Sequence, residues 1–492
     1  MTSNKPTSDS VLQKAVGSFK WLGLMQLVSR SAQPLIFLIL ARLLTPNDFG
    51  VMATAMVVVS FSQHFWDAGL GRALIQTQEA PEQAANVIFW ANVALSLPLY
   101  AGLFLAAPWV AAFFHSPASL PVLRVLGLLI VINSFVAAQQ NLFVRELDFR
   151  WLFWVNLATA VLPAGLSIPL AYAGYGVWAL VAGSLCASLL NLLLLWLKSP
   201  WRPRLAFDRP LARRLFGFGL WVMLENLLGW FFVWGDKLVV GRVLGPEALG
   251  LYTVGWNLCA VTIGLILNPF LPALYPTFSR LQDDLEVLKA TFHKVNRVII
   301  SLALPMGAGL FLVGPQIATV LFGQKWEGLG PVLSLLGLAQ GISWLVGINT
   351  EVYRALGRPD LNTKLLFISI LFYLPVYLLT APMGLLVFIG CQIILHLLGI
   401  PLHGYLSARL LDVSPYYLWQ DGRRLIISTL TMSLAVAGTK YLFLLTSTGL
   451  GQTFTLIILM GLGVITYGLS LWLLDCSHIL QTARLVKRAA FN

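Results

Sequence analysis

Charge is scarce in this chain. Only 11% of the 492 residues are Asp, Glu, Lys or Arg, where a soluble domain carries about 25%. With 58% hydrophobic residues and a mean hydropathy of +0.80, the scarcity excludes an ordinary soluble domain. Cysteine is nearly absent as well. Cys186, Cys259, Cys391 and Cys476 stand alone in or beside apolar runs, so their spacing excludes a disulfide framework and a cysteine-based metal site and leaves them as small hydrophobes. No Walker-A loop, HExxH helix or nucleophile elbow occurs. GLGRALI at Gly69–Ile75 lacks the third glycine of a dinucleotide loop. These absences argue against an enzyme and leave no motif for a cofactor.

Apolar runs fill the rest. Each must be about 20 residues long to cross a hydrocarbon core as a helix, and helices satisfy every backbone group without water. Breaking the sequence at charged and Pro/Gly-rich stretches predicts fourteen spans, at 17–41, 49–71, 86–108, 122–144, 151–172, 176–197, 214–236, 248–274, 296–319, 331–353, 362–381, 384–408, 423–445 and 453–474. The expected fold is an all-α polytopic membrane protein. The first twenty residues carry Lys5, Lys14 and Lys20 and lack the pattern of a cleaved signal peptide, so the first apolar run is expected to stay as a helix.

The net charge of +12 suggests nucleic acid until the cations are placed. With the N-terminus in the cytoplasm, 25 of the 32 Lys and Arg fall inside, six outside and Arg30 within a span. That is the positive-inside pattern. The excess is a topology signal and an attraction to anionic lipid headgroups, not a nucleic-acid surface, and both termini are expected in the cytoplasm. The stretch 280–297, RLQDDLEVLKATFHKVNR, reads as a solvated connector, with a short surface helix as the alternative.

The chain repeats itself. Arg42–Gly50 reads RLLTPNDFG and Arg242–Gly250 reads RVLGPEALG; Pro121–Leu128 (PVLRVLGL) is echoed by Pro331–Leu338 (PVLSLLGL). Nearly equal offsets, 200 and 210 residues, mark a duplication. Each copy holds six spans, so both enter the membrane in the same sense, as parallel repeats. The expected organisation is a six-helix lobe over 1–197, a basic cytoplasmic linker over 198–213, a second lobe over 214–411, and two extra spans with a tail over 412–492. Pro46 and Pro246 suit the first turn of a helix, and Gly50 and Gly250 suit close packing. The repeated stretch therefore reads as a joint between helices rather than a substrate contact.

Polar side chains within spans cost about 2.5–3.5 kcal/mol when charged and central, so they mark candidate sites. Gln26, Arg30 and Gln33 share a face of the first span, before Pro34. Ser60, Gln63, His64 and Asp67 form a stripe on the second, with Arg72 just beyond. Glu225, Asn226 and Asp236 lie on the seventh and Asn257 on the eighth. Such stripes face protein or a water-filled cavity, where they line a substrate path or pair with one another, for example Arg30 with Glu225 or Asp67. A mid-membrane cation suits an anionic cargo. His396 and His403 read as core histidines.

The residues also resemble a family. A-R-x-L-x-P-x-D-F-G (Ala41–Gly50), D-x-G-L-x-x-A-L-I-Q (Asp67–Gln76), R-x-L-G-P-x-x-L-G-L-Y (Arg242–Tyr252), N-P-x-x-x-x-L-Y-P-x-F-S-R-L-Q-D-D (Asn268–Asp284) and L-F-G-Q-K-W (Leu321–Trp326) are similar to polysaccharide transporters of the MOP flippase superfamily, in particular Wzx-type exporters of the colanic-acid kind. The resemblance implies a V-shaped bundle of twelve core helices with two more at the C-terminus, and a central cavity. It implies movement of an undecaprenyl-diphosphate-linked oligosaccharide to the outer leaflet of a bacterial plasma membrane for lipopolysaccharide or exopolysaccharide synthesis. Arg30 then maps onto the family's proposed diphosphate contacts. Implied partners are the lipid-linked oligosaccharide, membrane lipids and polysaccharide assembly proteins such as a polymerase or co-polymerase. No cofactor is implied, and the scheme accommodates coupling to a proton or sodium gradient. A cation-coupled drug or metabolite exporter of the same architecture is the alternative, followed by a polysaccharide polymerase or ligase.

Overall fold

The computed structural model describes residues 32–67, 81–204, 208–414, 416–446 and 451–491. Among these no strand occurs; in hydrocarbon a helix satisfies every backbone group within its own segment. Ten helices among the described residues are long and apolar enough to cross a membrane. Large apolar side chains lie open on their surfaces, with Leu379 74%, Leu434 74% and Val464 75% exposed. Water would penalise that surface and lipid does not, so the chain is a multi-pass membrane protein.

Packing divides the chain into two compact units, 1–250 and 251–492. In the first, α1 (Ala32–Leu43) turns at Leu44-Thr45 into α2 (Pro46–Asp67). There follow α3 (Pro81–Phe113), α4 (Ser119–Leu126), α5 (Leu128–Arg145), α6 (Phe149–Val161), α7 (Ala164–Tyr172) and α8 (Val177–Lys198). Pro46 opens α2 at a position whose N–H needs no partner. Asp148 caps α6 by accepting the Trp151 N–H at 3.2 Å, one orphan donor satisfied. Val51, Ala55 and Val59 of α2 bury against Leu123 and Leu126 of α4, Ile130 of α5 and Val181 of α8.

Helix α9 (Arg209–Leu267) crosses from the first unit into the second and is broken at Gly245, where φ is 83°. Its apolar part, Met223–Leu267, has 45 residues, more than twice what one crossing needs. The predicted spans 214–236 and 248–274 are thus two passes joined by a kink rather than by a loop. Pro246 removes a helical N–H and Gly245 supplies the left-handed backbone, so the break is written into the repeated stretch.

The second unit continues with α10 (Leu271–Arg280), α11 (Leu285–Ile317), α12 (Leu329–Ser343), α13 (Asn349–Ala355), α14 (Pro359–Thr380), α15 (Leu385–Leu411), α16 (Tyr417–Leu445) and α17 (Gln452–Phe491), kinked at Asp475. Small residues seat α11 on α12. A Cβ on Gly307 would stand 2.7 Å from the Gly341 Cα, and one on Gly341 2.8 Å from the Gly307 Cα. Close backbone approach of this kind is how helices associate where no hydrophobic effect operates between them.

Two expectations need correction here. The stretch 280–297 is neither a solvated connector nor a separate surface helix. Asp284 caps α11 by accepting the Val287 N–H at 3.1 Å, and the helix runs from there without interruption, burying Leu288, Phe292 and Asn296. The span 331–353 is divided, α12 ending at Ser343 and α13 starting at Asn349, because Trp344 to Ile348 turn around Gly347.

Candidate functional site

The two copies of the repeated stretch meet inside the first unit. In the first copy Thr45 caps α2: its hydroxyl and backbone N–H both reach the Asp48 carboxylate, at 2.7 and 2.9 Å. The second copy has Gly245 at the matching place. From these starts the chains cross so closely that a Cβ on Gly50 would overlap the Pro246 carbonyl, and a Cβ on Gly250 the Pro46 carbonyl. A Cβ on Gly250 would also lie 3.0 Å from the Gly50 N. The contact is reciprocal, each glycine resting on the other copy's proline. The stretch is a joint, and the helices leaving it carry the polar groups.

From that crossing α2 and the first part of α9 run antiparallel. Ten residues along α2 from Gly50, Ser60 accepts the indole N–H of Trp230 at 2.9 Å. The Phe61 and Trp230 rings lie 4.8 Å apart. One turn further from the crossing on each helix come the predicted stripes, Gln63 and His64 on α2 and Glu225 and Asn226 on α9. Four residues from Ser60 and four from Trp230 are each about 6 Å of helix rise, so His64 and Asn226 stand at one level. Gln63, His64 and Asn226 are half-buried and Glu225 is exposed. Between two otherwise apolar helices this is a polar level able to bind hydroxyls by hydrogen bonding.

The other predicted residues are distributed as follows. Gln26, Arg30 and Arg72 lie outside the described residues, as does the Asp67 side chain. Gln33 is exposed on α1 and Asn257 half-buried in the second unit. Asp236 is buried within the first unit, where the Lys237 backbone N–H donates to its carboxylate at 2.6 Å and the Lys237 ammonium stands 3.4 Å away. That ammonium also donates to the Val233 carbonyl at 2.9 Å. The two charges are thereby held together along one helix. Among the described residues no group of three or more His, Cys, Asp or Glu side chains could hold a metal ion.

Three polar clusters of the second unit escaped the sequence reading. Asp475, buried at the α17 kink, pairs with Arg297 of α11 and, at 3.3 Å, with Arg424 of α16. The signal available was a lone acid at the end of an apolar run. Gln392 of α15 donates to the Tyr252 hydroxyl at 2.8 Å, and the Tyr353 hydroxyl lies 3.2 Å from the Ser407 hydroxyl. His403 stacks on Tyr353 at 6.3 Å and His396 meets the Tyr373 ring edge-on at 6.3 Å, both packed as core histidines.

Comparison with known proteins places this arrangement. Residues 39–331 match the family model described as polysaccharide biosynthesis protein. The succinoglycan biosynthesis transport protein ExoT of Rhizobium meliloti (strain 1021) is 31% identical over 306 residues, 62% of this chain and 62% of the length of ExoT. The lipopolysaccharide biosynthesis protein WzxC of Escherichia coli (strain K12) is 24% identical over 383 residues, 76% of this chain and 77% of WzxC. The structure of the lipid II flippase MurJ in an inward closed conformation superposes with a TM-score of 0.74 at 13% identity, covering 93% of this chain and 99% of that one. The fold is thus shared with that structure, and with the family model spanning more than half of its length, the chain belongs to the polysaccharide biosynthesis protein family.

Proposed function

We propose that the protein flips undecaprenyl-diphosphate-linked oligosaccharide repeat units from the cytoplasmic to the outer leaflet of a bacterial plasma membrane, supplying lipopolysaccharide or exopolysaccharide assembly. The observation that carries this reading is the polar level of Gln63, His64, Glu225 and Asn226 between α2 and α9, in a chain of the polysaccharide biosynthesis family with a flippase fold. A sugar headgroup needs such donors and acceptors to leave water, while its lipid tail stays in hydrocarbon.

In this reading both termini are cytoplasmic and the Pro46 and Pro246 crossing lies toward the outer face. The two six-helix lobes, 1–197 and 214–411, rock about the joint to give alternating access. Arg30 meets the diphosphate as a fixed cation. No catalytic step and no bound cofactor enter the cycle, and an ion gradient of protons or sodium supplies the drive.

Deleting the gene should trap the lipid-linked repeat unit on the cytoplasmic leaflet, measured by leaflet-specific labelling of its sugar. Complementation with Arg30→Ala should fail at normal protein level. Unchanged surface polysaccharide in a non-redundant deletion strain would overturn the assignment; altered drug sensitivity with normal polysaccharide would point to the exporter instead.

A further inference from the structure

Beyond the Phe61–Trp230 contact, on the side of the proline crossing, the first unit holds an open cavity of about 350 Å³ lined by apolar atoms alone. Its walls come from three helices: Phe61 of α2, Trp109, Phe113 and Phe114 at the end of α3, and Trp230 and Leu238 of α9. Trp109 is 73% exposed and Phe113 45%, so the cavity is a groove on the surface rather than a sealed void.

The groove ends in a cation. One turn beyond Leu238, Arg242 lays its guanidinium 5.0 Å from the Phe113 ring centroid, and one terminal nitrogen stands 2.8 and 2.9 Å from the two ring nitrogens of His115. Those contacts fix the fork in place. Its other N–H groups make no hydrogen bond among the described residues. A guanidinium stacked on an aromatic face and held by one edge presents its remaining donors to a tetrahedral oxyanion.

An apolar groove beside a fixed cation is complementary to an amphiphile whose hydrocarbon chain lies next to a phosphate head. We propose that the groove binds the phosphate-proximal end of an isoprenoid lipid phosphate, the chain against Phe61, Trp109 and Phe114 and the phosphate on Arg242. The inference rests on the flippase reading for its choice of lipid and on the proposed topology for its place, which puts the phosphate at the outer leaflet. The site is then where the carrier lipid docks after crossing. It is separate from the polar level, which lies beyond Trp230 on the opposite side.

The test is lipid retention by the purified full-length protein, read by native mass spectrometry, with undecaprenyl phosphate, undecaprenol and phosphatidylglycerol as probes. Undecaprenyl phosphate should be retained in preference to both others. Arg242→Glu should weaken that retention about tenfold, the loss of one charge-assisted contact. Trp109→Ala, at an exposed position where folding is not at stake, should weaken retention of undecaprenyl phosphate and of undecaprenol alike. Equal retention of phosphatidylglycerol, or retention unmoved by both substitutions, would mean an ordinary boundary lipid and overturn the proposal. Complementation of the deletion strain is scored separately: a wild-type chain that selects undecaprenyl phosphate yet restores no polysaccharide keeps the groove and loses the flippase assignment.

Discussion

The indole of Trp230 donates to the Ser60 hydroxyl at 2.9 Å, pinning α9 to α2 between the proline crossing and the polar level. In a bilayer such side-chain bonds average about 0.6 kcal/mol, less than the packing of the Trp230 ring among Val57 and Phe114. Trp230→Phe, which keeps the ring and loses the bond, should lower thermal stability in detergent only slightly. Trp230→Ala opens a cavity and should cost about 3–5 kcal/mol. Equal effects of the two would make the hydrogen bond the dominant link.

The reciprocal glycines should tolerate no side chain. Gly50→Ala and Gly250→Ala each force a methyl into a proline carbonyl, and overpacking typically costs about 1–3 kcal/mol even where flexible side chains can shift. Both should reduce folded yield by fluorescence-detected size exclusion. Gly102→Ala, where an added Cβ meets nothing within 4 Å, is the control and should not. A normal yield from either crossing variant would refute the contact.

Asp475 should matter more than either arginine that it holds. Its side chain is 1% exposed, against 28% for Arg297 and 46% for Arg424. Removing one member of a buried ion pair typically costs about 3–5 kcal/mol, and Asp475→Ala breaks both pairs at once whereas each arginine substitution leaves the carboxylate one partner. The expected order of destabilisation is Asp475→Ala, then Arg297→Ala, then Arg424→Ala, read as melting temperatures in one detergent. Arg424→Ala as the worst of the three would contradict the geometry.

At the polar level, replacing Gln63, His64 or Asn226 by Leu removes a group that hydrocarbon penalises, so membrane insertion should be unimpaired. Polysaccharide export should nevertheless fall in a complemented deletion strain, at normal protein level. Full export by all three variants would remove the level from the transport path.

These experiments divide along the line between what periodicity and length reveal and what they do not. A bilayer imposes one length and one backbone conformation, so helices could be read at Pro81–Phe113 or Leu385–Leu411 from apolar run length alone. The same rule misjudged 280–297, since Asp283, Asp284 and Glu286 mimic a loop while the residues after them already bury one face of α11. The stripes on α2 and α9 were legible because polar residues stand out against an apolar background. His115 with Arg242, and Asp475 with Arg297, were not. Their partners are 127 and 178 residues away, and no local spacing records which helices will be neighbours.

The crossing of Gly50 and Gly250 has a meaning beyond close packing. Each copy of the repeat binds the other by the same surface, the relation that defines an isologous contact in a twofold dimer. The chain thus carries within itself the reciprocal kind of contact that a symmetric dimer makes between subunits. One consequence is genetic: drift in either copy is felt by both, so the two stretches must change together or not at all.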